Sequence, residues 1–130
     1  MNIKIGDSYS EQFKITKEMV IRFAELTGDK NPIHLDPDYA KNTRFGECIV
    51  PGILIAGLLS KIIGMDFPGN GSIYLGQDLN FLAPVYLDDI IEITCVVEFI
   101  DEKGHVLIDN LIKNNENKIV IRGKSKVKVL

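Results

Sequence analysis

The sequence predicts an α+β fold in which an antiparallel sheet is wrapped around one long helix. Three observations predict it. The stretch from Pro51 to Met65 is apolar on nearly every face, which is typical of a helix surrounded by protein. The half of the chain that follows changes to alternating apolar residues, the period of a strand with one buried face. Turn residues at 101–104 and 114–117 separate these runs at hairpin spacing.

Two shorter helices are predicted ahead of the long helix at 52–65. Thr16 is a candidate N-cap, apolar residues recur at helical spacing after it, and Gly28 suits a C-terminal cap, so the first helix should cover about 17–27. The Asp-Pro pair at 36 and 37 is typical of a cap and first helical position, which predicts a short helix at 36–41. Between them, the segment GDKNPIH is predicted to be a polar loop.

The strands are predicted mainly in the C-terminal half. A strand near 72–82 precedes the three alternating runs, which makes four in sequence, and an N-terminal segment at 9–15 is a further candidate. The basic run that ends the chain has Arg122, Lys124, Lys126 and Lys128 at every second position. This spacing favours the solvated face of a strand over a binding patch.

Length and composition bound the class of protein. The 130 residues fit one domain, 1–130, and a content of 45% hydrophobic and 25% charged residues excludes a disordered chain. With a net charge of -3 and a pI near 5.3, no broad attraction to nucleic acid or to an anionic membrane is expected. The most apolar stretch, 49–65, is shorter than the ~20 residues of a spanning helix. Cys48 and Cys95 have no CxxC spacing and no leader is visible, so a reducing, cytoplasmic setting is expected.

Candidate chemistry lies in the predicted polar loop, which contains Asp29, Asn31 and His34 directly after a helix. Pro32 restricts the backbone between the aspartate and the histidine, so both side chains could point at one water molecule. A carboxylate and an imidazole would there supply a general base and a general acid near neutral pH. The alternative from composition alone is that Asp29 and Asn31 make turn hydrogen bonds and His34 is structural.

The stretch from Phe23 to Ala40 resembles a known family, which favours the catalytic interpretation of the loop over the structural one. It reads FAELTGDKNPIHLDPDYA, with the core GDKNPIH and a small residue six positions after the histidine. This stretch resembles the signature of the MaoC-like (R)-specific enoyl-CoA hydratases and dehydratases. The segments RFGECIVPGILIAGLLS and FLAPVYLDD are similar to two further segments of that family, so the resemblance spans most of the chain.

The resemblance implies a hotdog fold and a set of site residues. It makes Asp29 and His34 the catalytic pair that holds the water, with Asn31 shaping the loop. Gly52 matches the glycine whose N–H faces the thioester carbonyl, and a helix N-terminus suits a developing enolate oxygen. Ser60 matches a helix serine that supports the family's site, although such a serine often bonds back to its own helix.

One departure from the family affects the oxyanion site. Pro51 stands where many relatives carry histidine, and proline has no N–H to donate. Oxyanion stabilisation is therefore expected from Gly52 or beyond.

The resemblance further implies a homodimer that adds water reversibly to a trans-2-enoyl thioester. No cofactor is expected, and with only two histidines and no clustered cysteines no metal site is expected either. Two alternatives stay open: a dehydratase of the same fold for acyl-carrier-protein thioesters, and a noncatalytic acyl-thioester-binding module or partner subunit. Thioester hydrolysis is less favoured, because that reaction does not by itself require the loop with Asp29 and His34. Other candidates are weaker, since His105 falls at a predicted hairpin tip and Cys48 has no histidine at motif spacing.

Overall fold

Four helices and five strands make up residues 2–130, the part of the chain that the computed structural model describes. In chain order they are β1 (Ser8–Lys14), α1 (Lys17–Thr27), α2 (Pro32–Leu35), α3 (Pro37–Lys41), α4 (Gly52–Met65), β2 (Ser72–Phe81), β3 (Ile90–Ile100), β4 (His105–Lys113) and β5 (Ile119–Val129). The three predicted helices are confirmed, and the predicted strands agree to within about a residue at their ends. α2 is additional, because it lies within the segment predicted to be a loop.

Local signals explain where α1 begins and ends. The Thr16 hydroxyl accepts a hydrogen bond from the Met19 N–H at 3.3 Å, which satisfies one of the free donors of the first turn. At the other end, Gly28 adopts a left-handed conformation with φ 80° and donates its N–H to the Ala24 carbonyl at 2.8 Å. Glycine adopts this conformation without a steric cost. The chain therefore leaves the helix at a fixed point, directly before Asp29.

All five strands form one antiparallel sheet in the order β1-β3-β4-β5-β2. The hairpins β3-β4 and β4-β5 turn at the two predicted positions. α4 packs against one face of the sheet, and its buried side chains are Leu54, Ile55, Leu59, Ile62 and Ile63. They meet alternate residues of the strands, among them Ile91, Ile93, Val97, Ile108, Ile112, Ile121 and Val127. The opposite face of β5 carries the basic run, and its interpretation as a solvated face is confirmed because buried residues alternate with it.

A cluster of polar side chains extends from two buried residues of the same core to the strand β2. Asn110 and Ser125 are completely buried. The Asn110 side-chain carbonyl accepts hydrogen bonds from Gln77 at 2.8 Å and from the Ser125 hydroxyl at 2.9 Å, and its amide contacts the Cys95 sulfur at 3.7 Å. Tyr74 also donates to the Gln77 side chain. These bonds link four neighbouring strands through their side chains, so no buried polar atom of the described side chains lacks a partner.

The sequence predicted a central helix surrounded by protein, and for the single chain this is wrong. Ile53 is 60% exposed, and Gly57, Ser60 and Gly64 follow it on the same exposed face of α4. The physical reason is that a five-stranded sheet covers only one side of the helix. No helix within residues 2–130 is long and apolar enough to cross a membrane.

Candidate active site

His34 is positioned by α2 and by the segment that enters α4. Asn31 is the N-cap of α2: its side-chain oxygen accepts from the Ile33 N–H at 3.3 Å, and its carbonyl accepts from the His34 N–H at 3.0 Å. Pro32 occupies the start of the helix, where its missing N–H has no consequence. The Ile49 N–H donates to the Ile33 carbonyl at 3.2 Å, which joins the two segments.

The hydrogen bond of the imidazole determines what chemistry His34 can perform. Its Nδ1 lies 2.7 Å from the Ile49 carbonyl oxygen. A carbonyl oxygen only accepts, so Nδ1 carries a proton in both charge states of the ring. In neutral His34 the other nitrogen, Nε2, therefore has a free lone pair and can accept a proton. When the ring is charged, Nε2 can return that proton.

Asp29 lies on an exposed turn between α1 and α2. Its N–H donates to the Thr27 hydroxyl at 3.1 Å, and its Oδ1 accepts from the Asn31 N–H at 3.3 Å. The turn hydrogen bonds of the alternative interpretation are thus present. The second carboxylate oxygen makes no hydrogen bond with residues 2–130, and no hydrogen bond joins Asp29 to His34 within that range.

Gly52 begins α4 and presents free backbone donors. The Leu54 N–H donates to the Pro51 carbonyl at 3.1 Å, whereas the N–H groups of Gly52 and Ile53 have no acceptor within residues 2–130. Pro51 is the N-cap and offers no side-chain hydrogen bond. The first turn of α4 therefore combines unsatisfied N–H groups with the positive end of the helix dipole, as a developing oxyanion requires.

One cavity of about 250 Å³ brings His34 and Gly52 together. Its other lining residues include Arg44 and Phe45 from the loop before α4, and Phe81 at the end of β2. A methyl group built on Gly52 would overlap the Phe81 ring and would lie 3.1 Å from the ring's Cζ. Glycine therefore lets the Phe81 ring approach the backbone this closely. Asp29, Asn31 and Ser60 do not line this cavity, and Ser60 lies on the exposed face of α4.

A second cavity, of about 270 Å³, is also lined by His34. It is formed mainly by apolar residues of α1 and by Leu35, Cys48 and Leu87. Burial raises the pKa of the Cys48 thiol, so this cysteine is not activated as a nucleophile. His105, at the start of β4, has its Nδ1 2.7 Å from an Asp101 carboxylate oxygen and lines neither cavity.

Sequence reasoning missed Arg44 and Phe81 as cavity residues. The signal available for Arg44 was a single basic residue in the loop that enters α4. Phe81 begins the segment FLAPVYLDD, which resembles the family, but nothing in that segment predicts its approach to Gly52, because the two residues are distant in the chain.

Comparison with known proteins agrees with this architecture. Residues 3–118 match the family model described as MaoC like domain. The "(R)-specific enoyl-CoA hydratase" of Aeromonas caviae is 40% identical over 98% of this chain and 96% of its own length. The "3-hydroxybutyryl-CoA dehydratase" of Methylorubrum extorquens is 37% identical over 98% of this chain and 82% of its own length. Other relatives are named 3-hydroxyacyl-[acyl-carrier-protein] dehydratases.

A solved structure supports the fold directly. The (R)-hydratase from A. caviae involved in PHA biosynthesis superimposes with a TM-score of 0.95 at 34% identity, over 98% of both chains. The predicted hotdog fold is thereby confirmed. The chain belongs to the MaoC-like domain family.

Proposed function

We propose that this chain is an (R)-specific enoyl-CoA hydratase, which adds water reversibly to a trans-2-enoyl thioester and gives the (R)-3-hydroxyacyl thioester. At the coarser level the chain is a hydro-lyase of its family. The observation that carries the finer proposal is the meeting of the His34 imidazole and the free N–H of Gly52 in one cavity. A relative named (R)-specific enoyl-CoA hydratase, 40% identical along nearly the whole chain, supports it.

The hydration reaction requires a hydrogen-bond donor at the thioester oxygen and a proton-transfer group at C2 and C3 of the enoyl unit. When water adds, its oxygen bonds to C3, the double bond breaks, and negative charge moves to the thioester oxygen. The Gly52 N–H and the α4 dipole would stabilise that charge. Asp29 and His34 would hold the water, take its proton and return a proton to C2. Because the Ile49 carbonyl fixes the proton on Nδ1, Nε2 is the nitrogen that exchanges the proton.

The exposed surfaces of the single chain favour a homodimer, which we include in the proposal. Ile53, Gly57, Ser60 and Gly64 leave one face of α4 uncovered, and β2 is an edge strand whose Leu75 is 49% exposed. Long apolar edges are rarely left unpaired in soluble proteins, and a second copy offers a self-complementary partner. Because Ser60 lies on the uncovered face, any part it has in a site depends on that second copy.

Hydration of crotonyl-CoA, followed by loss of the enoyl absorbance, tests the catalytic proposal. Asp29→Asn and His34→Ala should each lose at least ~100-fold in turnover, since each removes a proton-transfer group. His34→Ala should slow hydration and dehydration by similar factors, because one equilibrium links the two directions. Asp38→Asn, an exposed aspartate on α3, is the matched control. Wild-type turnover in Asp29→Asn, or an (S)-configured product, would contradict the proposal.

A noncatalytic binding module predicts a different result. Wild-type protein would then hydrate no enoyl thioester, while calorimetry would detect tight binding of a saturated acyl-CoA that His34→Ala weakens.

The carrier and the oligomeric state are tested separately. The relatives named for acyl-carrier-protein thioesters favour the dehydratase alternative, so crotonyl-CoA and the crotonyl-carrier protein should be compared at equal concentration. Light scattering should report about twice the chain mass of 14.5 kDa, and a fully active monomer would contradict the dimer. A cytoplasmic location and a place in fatty acid metabolism stay predictions.

A further inference from the structure

We propose that Arg44 binds the phosphate of the phosphopantetheine arm that carries the substrate, at the mouth of the cavity shared by His34 and Gly52. The inference rests on the proposed function, because it takes an acyl thioester as the ligand. Arg44 is the one lysine or arginine among the residues that line this cavity. Arg44 is also exposed to solvent, which fits a position at the opening of this cavity.

The backbone around Arg44 is held in a defined turn. The Thr43 N–H donates to the Ala40 carbonyl at 3.0 Å, and the Gly46 N–H donates to the Thr43 carbonyl at 3.1 Å. Tyr86 donates its hydroxyl to the Phe45 carbonyl at 3.4 Å, which ties the turn to the segment before β3. Arg44 is therefore presented from a fixed part of the chain.

The side chain is oriented but not neutralised. The Arg44 guanidinium carbon lies 4.9 Å from the centre of the Phe45 ring. Such a cation–π contact uses no N–H donor in a conventional hydrogen bond, so the guanidinium donors stay available to a ligand. The chain has three arginines. Arg22 pairs with Glu18 at 2.9 Å and Arg122 with Asp109 at 3.6 Å, whereas Arg44 has no carboxylate partner and no hydrogen bond within residues 2–130.

The chemistry of the carrier explains what such an arginine would recognise. Coenzyme A and acyl-carrier protein both present the thioester on a phosphopantetheine arm, whose phosphate lies at the end remote from the sulfur. The planar guanidinium matches phosphate oxygens with two parallel hydrogen bonds. Since the protein has a net charge of -3, its overall field repels an anionic carrier, and a local cation offsets this repulsion at short range.

Crotonyl-phosphopantetheine and crotonyl-pantetheine differ only in the phosphate, so a comparison of their KM values tests the contact. Arg44→Gln should raise the KM for crotonyl-phosphopantetheine and for crotonyl-CoA by about tenfold, the loss of one charged hydrogen-bonded contact. Its kcat should stay near the wild-type value, and its KM for crotonyl-pantetheine should not change. Arg44→Lys should recover part of the loss. Lys41→Gln, which removes an exposed cation outside this cavity, is the matched control and should leave all three KM values unchanged.

Three outcomes would overturn the assignment. An equal rise in KM for crotonyl-pantetheine would mean that Arg44 acts on the thioester or supports the cavity. An effect on crotonyl-CoA alone would place the contact on the nucleotide phosphates, and a crotonyl-carrier protein would then show no change in KM. An unchanged KM for every substrate would leave Arg44 without this role.

The failure of the proposed function gives a different result. Calorimetric titration of butyryl-phosphopantetheine and butyryl-pantetheine measures the phosphate contact without turnover. Suppose that wild-type protein hydrates nothing but binds the phosphorylated ligand more tightly, and that Arg44→Gln lacks this preference. The proposed function then fails and the phosphate site stands. If wild-type protein shows no such preference, the phosphate site fails as well.

Discussion

The exchange of Gly52 for alanine tests whether the start of α4 is the point of closest approach to the thioester. A Cβ on Gly52 would overlap the ring of Phe81, with its Cζ at 3.1 Å and two further ring atoms closer still. Phe81 is 53% exposed, so its ring has room to rotate away from the new methyl group. Alanine also gains up to about 1 kcal/mol of helix propensity over glycine. We therefore expect the stability of Gly52→Ala to stay within about 1 kcal/mol of wild type.

The activity should respond far more than the stability. The new methyl group would lie beside the Gly52 N–H, and the Phe81 ring, which lines the same cavity, would have to move. Removal of one oxyanion donor in other enzymes costs about 10²–10³-fold in turnover, which equals about 2.7–4 kcal/mol of transition-state stabilisation. A loss of this size in kcat, with a smaller change in KM, is the expected result for crotonyl-CoA hydration.

Two further variants separate the steric effect from a general one. Gly64→Ala makes the same chemical change near the other end of α4, where a Cβ meets no atom of this chain within 4 Å. Gly64 lies on the face proposed to meet a second copy, so light scattering must first show that the variant keeps the wild-type oligomeric state. It should then keep wild-type kcat. Adding Phe81→Leu to Gly52→Ala removes the overlapped ring and should restore part of the turnover. Wild-type turnover by Gly52→Ala, with an unchanged unfolding curve, would refute the reasoning that places the oxyanion at this helix end.

Two predictions concern stability. Asn110→Ala removes the buried partner of Gln77 and Ser125 and leaves a small cavity, so urea unfolding should show a loss of about 2–4 kcal/mol; a loss below about 0.5 kcal/mol would contradict the buried polar cluster. For Asp101, the N–H of His105 is the main cause that lowers the pKa of the carboxyl from 3.8 to about 2. Its stabilising contribution is therefore complete above the ordinary pKa and is lost as the pH falls towards 2. Between pH 5 and 2, the stability measured by thermal unfolding should accordingly fall less in Asp101→Asn than in wild type. Equal slopes of stability against pH in the two proteins would contradict this.

The parts of the fold that local signals determine could be predicted from the sequence. Thr16 and Gly28 bound α1 because capping depends on residues within one turn of the helix. α2 could have been found from the same kind of signal, since Asn31 and Pro32 are a cap and first-position pair. The order of the strands could not, because β1 pairs with β3 across most of the chain and alternation does not say which strand is the neighbour.

The site shows the same division between local and distant information. The pattern around His34 made it a candidate, but the orientation of its imidazole depends on the Ile49 carbonyl, which the segment that enters α4 supplies. Likewise, the contact between Phe81 and Gly52 joins β2 to α4. The burial of the central helix was overestimated because an apolar sequence does not state whether its own chain or a second copy covers it.

The two members of the proposed catalytic pair are held to different degrees, and this difference bears on how the site would work. His34 is fixed at both its backbone and its ring, so the position of Nε2 is set before any substrate arrives. Asp29 is exposed and is held only by local turn bonds, with one carboxylate oxygen left over. A carboxylate in water is a weaker base than one from which water is excluded. In the proposed mechanism, Asp29 would therefore need a covering surface, either the bound thioester or a second copy of the chain, before it could share the water with His34.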